Sequence, residues 1–124
     1  MSSLWLNSLQ NKENFEILSN DLETDVCIIG AGIFGLTCAY YLSKLGFKVV
    51  VLDKNDIGSK TTGHTTAKIT SQHGLFYDYL NSSYSKQFAK DYLMANEQAI
   101  ENIKHIIEAE KIKCDFERQN NYVY

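Results

Sequence analysis

The segment DVCIIGAGIFG, Asp25 to Gly35, joins a short apolar run to a glycine-rich bend. The run before the bend is rich in β-branched residues, which is typical of a buried parallel strand that is apolar on both faces. The segment after the bend has helical periodicity and stops at Gly46, a residue type favoured just beyond the end of a helix. A second apolar run, Lys48 to Asp53, predicts another strand. Residues 25–53 therefore predict a strand–helix–strand unit with a right-handed crossover.

The bend itself carries the pattern G-x-G-x-x-G at Gly30, Gly32 and Gly35. In a dinucleotide-binding unit the first glycine permits the tight turn, and the second lets a pyrophosphate approach the backbone. The third lets the helix pack closely on the strand. The unpaired N–H groups of the first helical turn, near Ile33 and Phe34, then face the phosphates. We therefore expect these five residues to form the phosphate side of a site for an ADP-containing cofactor.

Asp53 closes the second strand, 23 positions after Gly30. A carboxylate at this position accepts hydrogen bonds from the adenosine ribose hydroxyls and repels a 2′-phosphate. FAD or NAD is therefore favoured over NADP. The alternative is that Asp53 only begins a turn, as many aspartates do.

The composition limits the classes of protein to be considered. The chain has 124 residues and a net charge of -3 without a basic stripe, so a nucleic-acid partner is not expected. Its start has neither a basic segment nor a long apolar run, so neither a signal peptide nor a membrane partner is expected. Cys27, Cys38 and Cys114 form no C-x-x-C pair, and we expect reduced packing residues in a cytoplasmic protein. Histidines and cysteines lack the spacing of a metal site.

Three further segments flank the strand–helix–strand unit. Residues 1–23 are polar and weakly patterned, and we expect either an arm anchored by Trp5 and Leu6 or a disordered tail. A long helix with one apolar stripe is predicted from Tyr84 onwards. The end of the chain, residues 113–124, alternates in the manner of a strand, a turn and the start of a second strand.

The loop GSKTTGHTTAK, Gly58 to Lys68, follows the second strand. It lacks the Walker order, in which glycine directly precedes lysine, because Ser59 separates Gly58 from Lys60. A triphosphate-binding loop is therefore not predicted, and the density of small hydroxyl residues needs another explanation. One explanation is a solvated turn; the other is a second set of contacts to the cofactor.

From Asp25 through this loop to Thr70, the sequence resembles the N-terminal part of the D-amino-acid oxidase-like family of FAD-dependent oxidoreductases, which includes glycine and sarcosine oxidases. The continuation SQHGLFYDYL and the closing CDFERQNNYVY look most like a bacterial branch with a C-terminal Rieske iron–sulfur domain. The resemblance extends from about Trp5 to the last residue. It implies an α/β fold with a Rossmann-like FAD/NAD(P)-binding βαβ portion and the long helix over residues 24–112. The first strands of a truncated substrate-domain sheet would follow at 113–124.

The resemblance also implies cofactor contacts beyond the glycine bend. In the family, the loop after the ribose-binding acid folds over the cofactor, and its backbone N–H groups and hydroxyls contact the diphosphate. His64 is one position out of register with the histidine that tethers flavin in some relatives, so no covalent bond is expected. Lys68 would lie near the N1–C2 edge of the flavin and stabilise its reduced form. The residues that match these family positions are Lys54, Thr61, Thr62, Thr65, Thr66, Ala67 and Lys68.

The implied function is the FAD-binding part of an oxidoreductase that oxidises an amine or amino acid by hydride transfer to flavin N5. The substrate-facing residues of the family lie in later segments, so no catalytic residue is assigned. Because the remaining family strands are missing, we expect the chain either to form a homodimer or to need the C-terminal portion of the same enzyme. Two alternatives stay open: an NAD-dependent dehydrogenase domain, and a non-catalytic fragment that binds a nucleotide or a partner chain.

Overall fold

The fold is a small mixture of helices and strands, described by a computed structural model over residues 3–8 and 14–122. Two short strands lie in the first half of the chain. The regular structure of the second half is helical. In chain order the elements are α1 (Leu4–Ser8), β1 (Val26–Ile29), α2 (Ile33–Lys44), β2 (Val49–Leu52), a 3₁₀ turn (Thr62–His64), α3 (Phe76–Ser83) and α4 (Lys86–Ala109).

The two strands pair in parallel, and α2 crosses between them. The register aligns Val26 with Val49 and Ile29 with Leu52. The pairing continues one residue further, because the N–H of Gly30 donates to the carbonyl of Leu52 at 2.7 Å. The predicted strand–helix–strand unit is therefore confirmed, with each strand shorter by one residue at either end than its apolar run.

Helix α2 begins and ends where the sequence predicts. Gly32 is its N-cap in an extended conformation, and Leu45 is its C-cap. The next residue, Gly46, has a φ of 89° in the left-handed region that favours glycine, and its N–H donates to the carbonyl of Ser43 at 3.0 Å. This hydrogen bond closes the helix and turns the chain back towards β2.

The strands are less buried than their composition predicts. No residue of β1 or β2 is buried, and Ile29 is 89% exposed. In the described residues, the buried hydrophobic side chains are those of Ala31, Leu80 and Ala89. The prediction of strands buried on both faces is therefore wrong for this chain, because a two-stranded sheet with one crossover helix cannot cover both of its faces.

The chain divides into two compact units, which are described separately. The first extends to Thr66 and contains α1, both strands, α2 and the 3₁₀ turn; the second begins at Ala67 and contains α3 and α4. The sequence did not suggest a division at this point. The predicted portions 24–112 and 113–124 stay predictions.

The second unit contains the predicted long helix, α4, and a shorter preceding helix, α3, that the sequence did not predict. The predicted helix from Tyr84 begins instead at Lys86, because Ser85 is an N-cap whose side-chain oxygen accepts a hydrogen bond from the N–H of Phe88 at 3.1 Å. Aromatic rings join the two helices, with the rings of Phe76 and Tyr92 5.4 Å apart. The apolar stripe of α4 thus packs on α3 through its first turns.

The strands predicted at the end of the chain are absent from residues 113–122, and Val123 and Tyr124 lie outside the described residues. In their place, Arg118 forms ion pairs with Glu97 at 2.7 Å and Glu101 at 2.5 Å, both on α4. The prediction of a strand here is wrong for the described residues. The physical reason is that alternation alone does not make a strand, because a strand needs a neighbour to satisfy its backbone groups.

The remaining features concern the cysteines and the membrane. Cys27, Cys38 and Cys114 are free; Cys27 and Cys114 are exposed, so the expected packing role is wrong for these two. Within the described ranges, no helix combines the length and the apolar character needed to cross a bilayer. No cluster of three metal-ligating side chains occurs in the same ranges.

Candidate functional site

The glycine bend brings β1 and α2 into close contact. Gly30 has a φ of 108°, a conformation that favours glycine. Gly35 is buried, and a Cβ atom there would collide with the carbonyl oxygen of Gly30 and lie 3.3 Å from the side chain of Ile28. The bend therefore depends on glycine at both positions, one for the turn and one for the packing of the helix on the strand.

Asp53 closes the bend from the end of β2. Its Oδ2 accepts a hydrogen bond from the N–H of Ala31 at 2.7 Å, and its Oδ1 accepts one from the N–H of Asn55 at 2.8 Å. The bond from Ala31, followed by that from Asn55, holds the pKa of Asp53 below its ordinary value. The side chain is exposed and faces the bend as an anion, with lone pairs left for a ligand.

Thr62 approaches the bend from the other side. Its Oγ1 accepts a hydrogen bond from the N–H of Ile33, the first residue of α2, at 3.0 Å. The N–H groups of Gly32 and Phe34 keep no partner in the described part of the chain. The threonine-rich loop therefore caps one donor of the helix N-terminus and leaves its neighbours open.

A cavity of about 150 Å³ lies between the bend and this loop. The loop is fixed to the bend by the N–H of Gly58, which donates to the carbonyl of Ala31 at 2.9 Å. The cavity is lined by Ala31, Gly32, Asp53, Asp56, Gly58, Ser59, Lys60, Thr61 and Thr62.

Ser59 stands out among the residues that line the cavity. Across residues 3–8 and 14–122, its hydroxyl is the one buried side-chain polar atom without a hydrogen-bond partner. A buried hydroxyl without a hydrogen-bond partner lowers the stability of the fold, and its missing partner is commonly a water or a ligand atom. Sequence reasoning missed Ser59, although the position of Ser59 within the Gly58 to Lys68 loop was a signal that could have found it.

A larger groove of about 1380 Å³ adjoins the cavity along β2. Lys54 and Leu36 line it, as does the segment 14–18. The two spaces share the lining residues Ala31, Asp53, Asp56, Ser59 and Lys60. Asp53 therefore lies where the small cavity adjoins the wider groove.

The remaining predicted site residues are less closely grouped. The side chains of Ile33 and Phe34 are 65% and 81% exposed, and Thr66 is exposed. The carbonyl of Thr65 accepts a hydrogen bond from the indole N–H of Trp5 at 2.7 Å. The structure thus groups the glycines, Asp53, Thr61 and Thr62 in the first unit, and Lys54 beside them.

Ala67 and Lys68 belong to the second unit and are described within it. Ala67 has a φ of 56°, an uncommon conformation for a residue with a side chain. The ammonium of Lys68 donates to the side-chain oxygen of Asn121 at 2.9 Å. The flavin contact expected of Lys68 stays a prediction.

His64 and His73 each lie within hydrogen-bond distance of another residue of the same unit. His64 Nδ1 lies 2.8 Å from the carbonyl oxygen of Lys60, within the same loop. His73 Nδ1 lies 3.0 Å from the hydroxyl of Tyr92, in the second unit. The first contact lies within the loop, and the second joins the segment before α3 to α4.

Comparison with known proteins identifies the family. A family model described as FAD dependent oxidoreductase matches residues 25–124. The chain belongs to this family of FAD-dependent oxidoreductases, and the cofactor of the family, FAD, is the one expected from the sequence.

Individual relatives agree with the family. A protein named as a Rieske 2Fe-2S iron–sulfur protein, YhfW, of Bacillus subtilis is 43% identical over 111 residues, which are 90% of this chain and 22% of that protein. Gamma-glutamylputrescine oxidoreductase of Escherichia coli is 29% identical over 93% of this chain and 27% of its own length. D-amino acid dehydrogenase of Helicobacter pylori is 46% identical over 50 residues, 40% of this chain and 12% of its own.

The chain corresponds to only part of each relative's length. The chain spans about a quarter of the length of the first two relatives. No solved structure matches the chain. The family match and the similarity to these relatives confirm the expected resemblance to the N-terminal portion of such oxidoreductases.

Proposed function

We propose that this chain forms the FAD-binding part of a flavin-dependent oxidoreductase that oxidises an amine or amino acid. Its strand–helix–strand unit would be the first βαβ unit of a Rossmann-like fold. The bend at Gly30–Gly35 would hold the pyrophosphate, and Asp53 would hold the adenosine ribose.

The observation that carries this proposal is the arrangement of Asp53 and Thr62 on either side of the glycine bend. Asp53 binds the N–H of Ala31, and Thr62 binds the N–H of Ile33, so two polar side chains frame the open amide of Gly32. An anion at a helix N-terminus is stabilised by such amides and by the helix dipole. A carboxylate beside the same point suits a neutral ribose and disfavours a phosphate on it.

The cavity has donors that suit a diphosphate. The partnerless hydroxyl of Ser59 and the hydroxyl of Thr61 are neutral donors, and Lys60 adds a cation to the same lining. A cavity of about 150 Å³ is smaller than the roughly 300–1,000 Å³ of typical ligand pockets, so it suits the linkage and not a whole cofactor. The adjoining groove supports placing the rest of the adenosine moiety beside Asp53.

The chemistry follows from the cofactor. The chemistry that bound FAD would supply is acceptance of a hydride at flavin N5 from the carbon next to a substrate nitrogen. The contribution of this chain is to bind and orient the cofactor, because its site residues are backbone amides, hydroxyls, the carboxylates of Asp53 and Asp56 and the ammonium of Lys60. An amine or amino-acid substrate is supported by the names of two relatives, a gamma-glutamylputrescine oxidoreductase and a D-amino acid dehydrogenase.

Reconstitution tests the proposal. The purified protein is incubated with FAD, freed of excess by gel filtration, and its visible spectrum recorded, with NADH as the parallel ligand. Retention of flavin absorption with a protein-induced shift is expected. Uptake of NADH without FAD would instead favour a dehydrogenase domain, and failure to bind either would favour a fragment that serves only a partner chain.

A further inference from the structure

The N-terminal helix α1 contacts the loop of the proposed cofactor site. The hydroxyl of Ser3 donates to the carbonyl of Gly63, and the indole N–H of Trp5 donates to the carbonyl of Thr65 at 2.7 Å. Both acceptors lie 60 positions along the chain. Two hydrogen bonds, one from Ser3 just before α1 and one from Trp5 within it, thus bracket the residues that follow Thr62.

The contact is also packed. Gly63 is buried, and a Cβ atom there would lie 2.9 Å from a methyl carbon of Leu6 and 2.5 Å from the carbonyl oxygen of Gly58. The 3₁₀ turn is therefore enclosed between the side chain of Leu6 and the start of its own loop. A turn held in this way has little freedom to move.

This turn carries the residue that caps α2. Thr62 precedes Gly63 directly, and its hydroxyl accepts the hydrogen bond from the N–H of Ile33 at 3.0 Å. A continuous set of contacts therefore runs from Ser3 and Trp5 through the turn to the first amide of α2. The position of Thr62 depends on the turn, and the turn is held by α1.

Burial alone does not explain why a tryptophan is present. Trp5 is 42% exposed, whereas its indole nitrogen makes a hydrogen bond of normal length. Trp5 is also the only tryptophan in the chain. The directional bond, rather than the apolar surface, is the feature that a phenyl ring does not reproduce.

We propose that the segment Ser3–Ser8 is a clasp that holds the 3₁₀ turn in place, so that Ser3 and Trp5 are positioning residues for cofactor binding. This inference rests on the proposed FAD site. A loop already held in its binding conformation loses less conformational entropy when the ligand binds, and the ligand binds more tightly. The segment Ser3–Ser8 lines neither the cavity nor the groove, so the clasp acts through Thr62.

Hydrogen exchange at single amides tests the structural half of the proposal. The variants Trp5→Phe and Ser3→Ala each remove one donor, and Leu4→Ala is the matched control because Leu4 is on the same helix and 71% exposed. The amide of Ile33 is expected to exchange about threefold to tenfold faster in the first two variants, as for loss of one neutral hydrogen bond. The Gly30 amide, which is bonded to Leu52, should exchange at the same rate in every variant. In the control variant the Ile33 amide should exchange as it does in the parent protein.

Titration with FAD tests the functional half. Both clasp variants are expected to bind FAD about threefold to tenfold more weakly than the parent protein, with Leu4→Ala unchanged. Unchanged exchange at Ile33 would overturn the clasp, and faster exchange with unchanged affinity would overturn its role in binding. If the parent protein binds no FAD, the proposed function fails separately, and the exchange rates alone decide whether the clasp positions Thr62.

Discussion

The carboxylate of Asp53 and the backbone N–H of Ala31 form a hydrogen bond of 2.7 Å across 22 positions of the chain. This bond ties the end of β2 to the bend that follows β1. It keeps Asp53 ionised, because a protonated acid would lose much of the attraction for the amide. The anion is thereby held at the point where the cavity adjoins the groove.

Asp53→Asn is expected to weaken the binding of FAD and of ADP about tenfold or more. The neutral amide oxygen of asparagine accepts weaker hydrogen bonds from the ribose hydroxyls than a carboxylate does. Isothermal titration calorimetry with both ligands measures the change. Asp78→Asn, which alters an exposed acid in the second unit, is the control and should bind as the parent does. Equal affinities for the parent and Asp53→Asn would remove the ribose role.

Acid should destabilise the protein through Asp53. Its pKa is lower in the folded chain than its ordinary value of 3.8, mainly because of the bond from Ala31. Its contribution to stability is therefore fully present above pH 3.8 and is lost as the pH falls through the lower folded value. Glu97 behaves likewise, because bonds from Ser71 and Arg118 lower its pKa.

The contribution of Asp53 to stability in acid is distinguished from that of Glu97 by comparing variants. Denaturation by urea is followed from neutral pH down to acid for the parent protein and Asp53→Asn. The difference in the free energy of unfolding between them should shrink on acidification. A difference that is constant with pH would mean that the Asp53 carboxylate is not stabilised by its amide partners.

Gly35→Ala is expected to lower the free energy of unfolding by about 1–3 kcal/mol, because the added methyl group meets the backbone carbonyl of Gly30, which no rotamer change relieves. Gly32→Ala is the matched comparison, since its methyl group would lie 3.4 Å from Thr62 Oγ1 and clear of backbone. That variant should keep its stability but bind FAD more weakly. Thermal unfolding and titration of both variants check the contrast, and equal loss of stability would contradict it.

Ser59→Ala is expected to leave stability unchanged or slightly raised, because the hydroxyl has no partner to lose. Its affinity for FAD should fall about threefold to tenfold, the effect of one neutral hydrogen bond. Chemical denaturation and calorimetry on the same samples measure both quantities. A loss of stability with no loss of affinity would show that Ser59 serves the fold and not the ligand.

The 124-residue chain studied alone is expected to self-associate. Ile29 on β1 and Phe34 on α2 are 89% and 81% exposed, and each strand of the two-stranded sheet has an open edge that can pair with another strand. Light scattering coupled to gel filtration should report species larger than a monomer, and Ile29→Thr should reduce them while keeping a β-favouring residue. A stable monomer over the whole concentration range would contradict this expectation.

The strand–helix–strand unit is predictable from the sequence because its signals are local. The β-branched runs, the helical period and the two glycines at Gly30 and Gly46 each act within a few residues of where they stand. The position of Asp53 opposite the bend follows from the parallel register, since the carboxyl ends of both strands meet at the same edge.

Other features depend on tertiary contacts that no local pattern encodes. The helix break at Ser85 could have been found, since serine is a common N-cap, but the aromatic period continues through it. The buried hydroxyl of Ser59 and the bond from Trp5 to Thr65 arise only when distant segments meet. The strands predicted at 113–124 failed in the described residues because alternation does not supply a neighbouring strand.

The most direct test of the account is an amide chemical-shift map of the protein titrated with ADP, the part of FAD that the site is proposed to hold. Saturable shifts are expected at the amides of Ala31–Phe34 and Ser59–Thr62, with α4 unaffected. Absence of any shift at the glycine bend, or shifts confined to residues beyond Ala67, would contradict the proposed cofactor site.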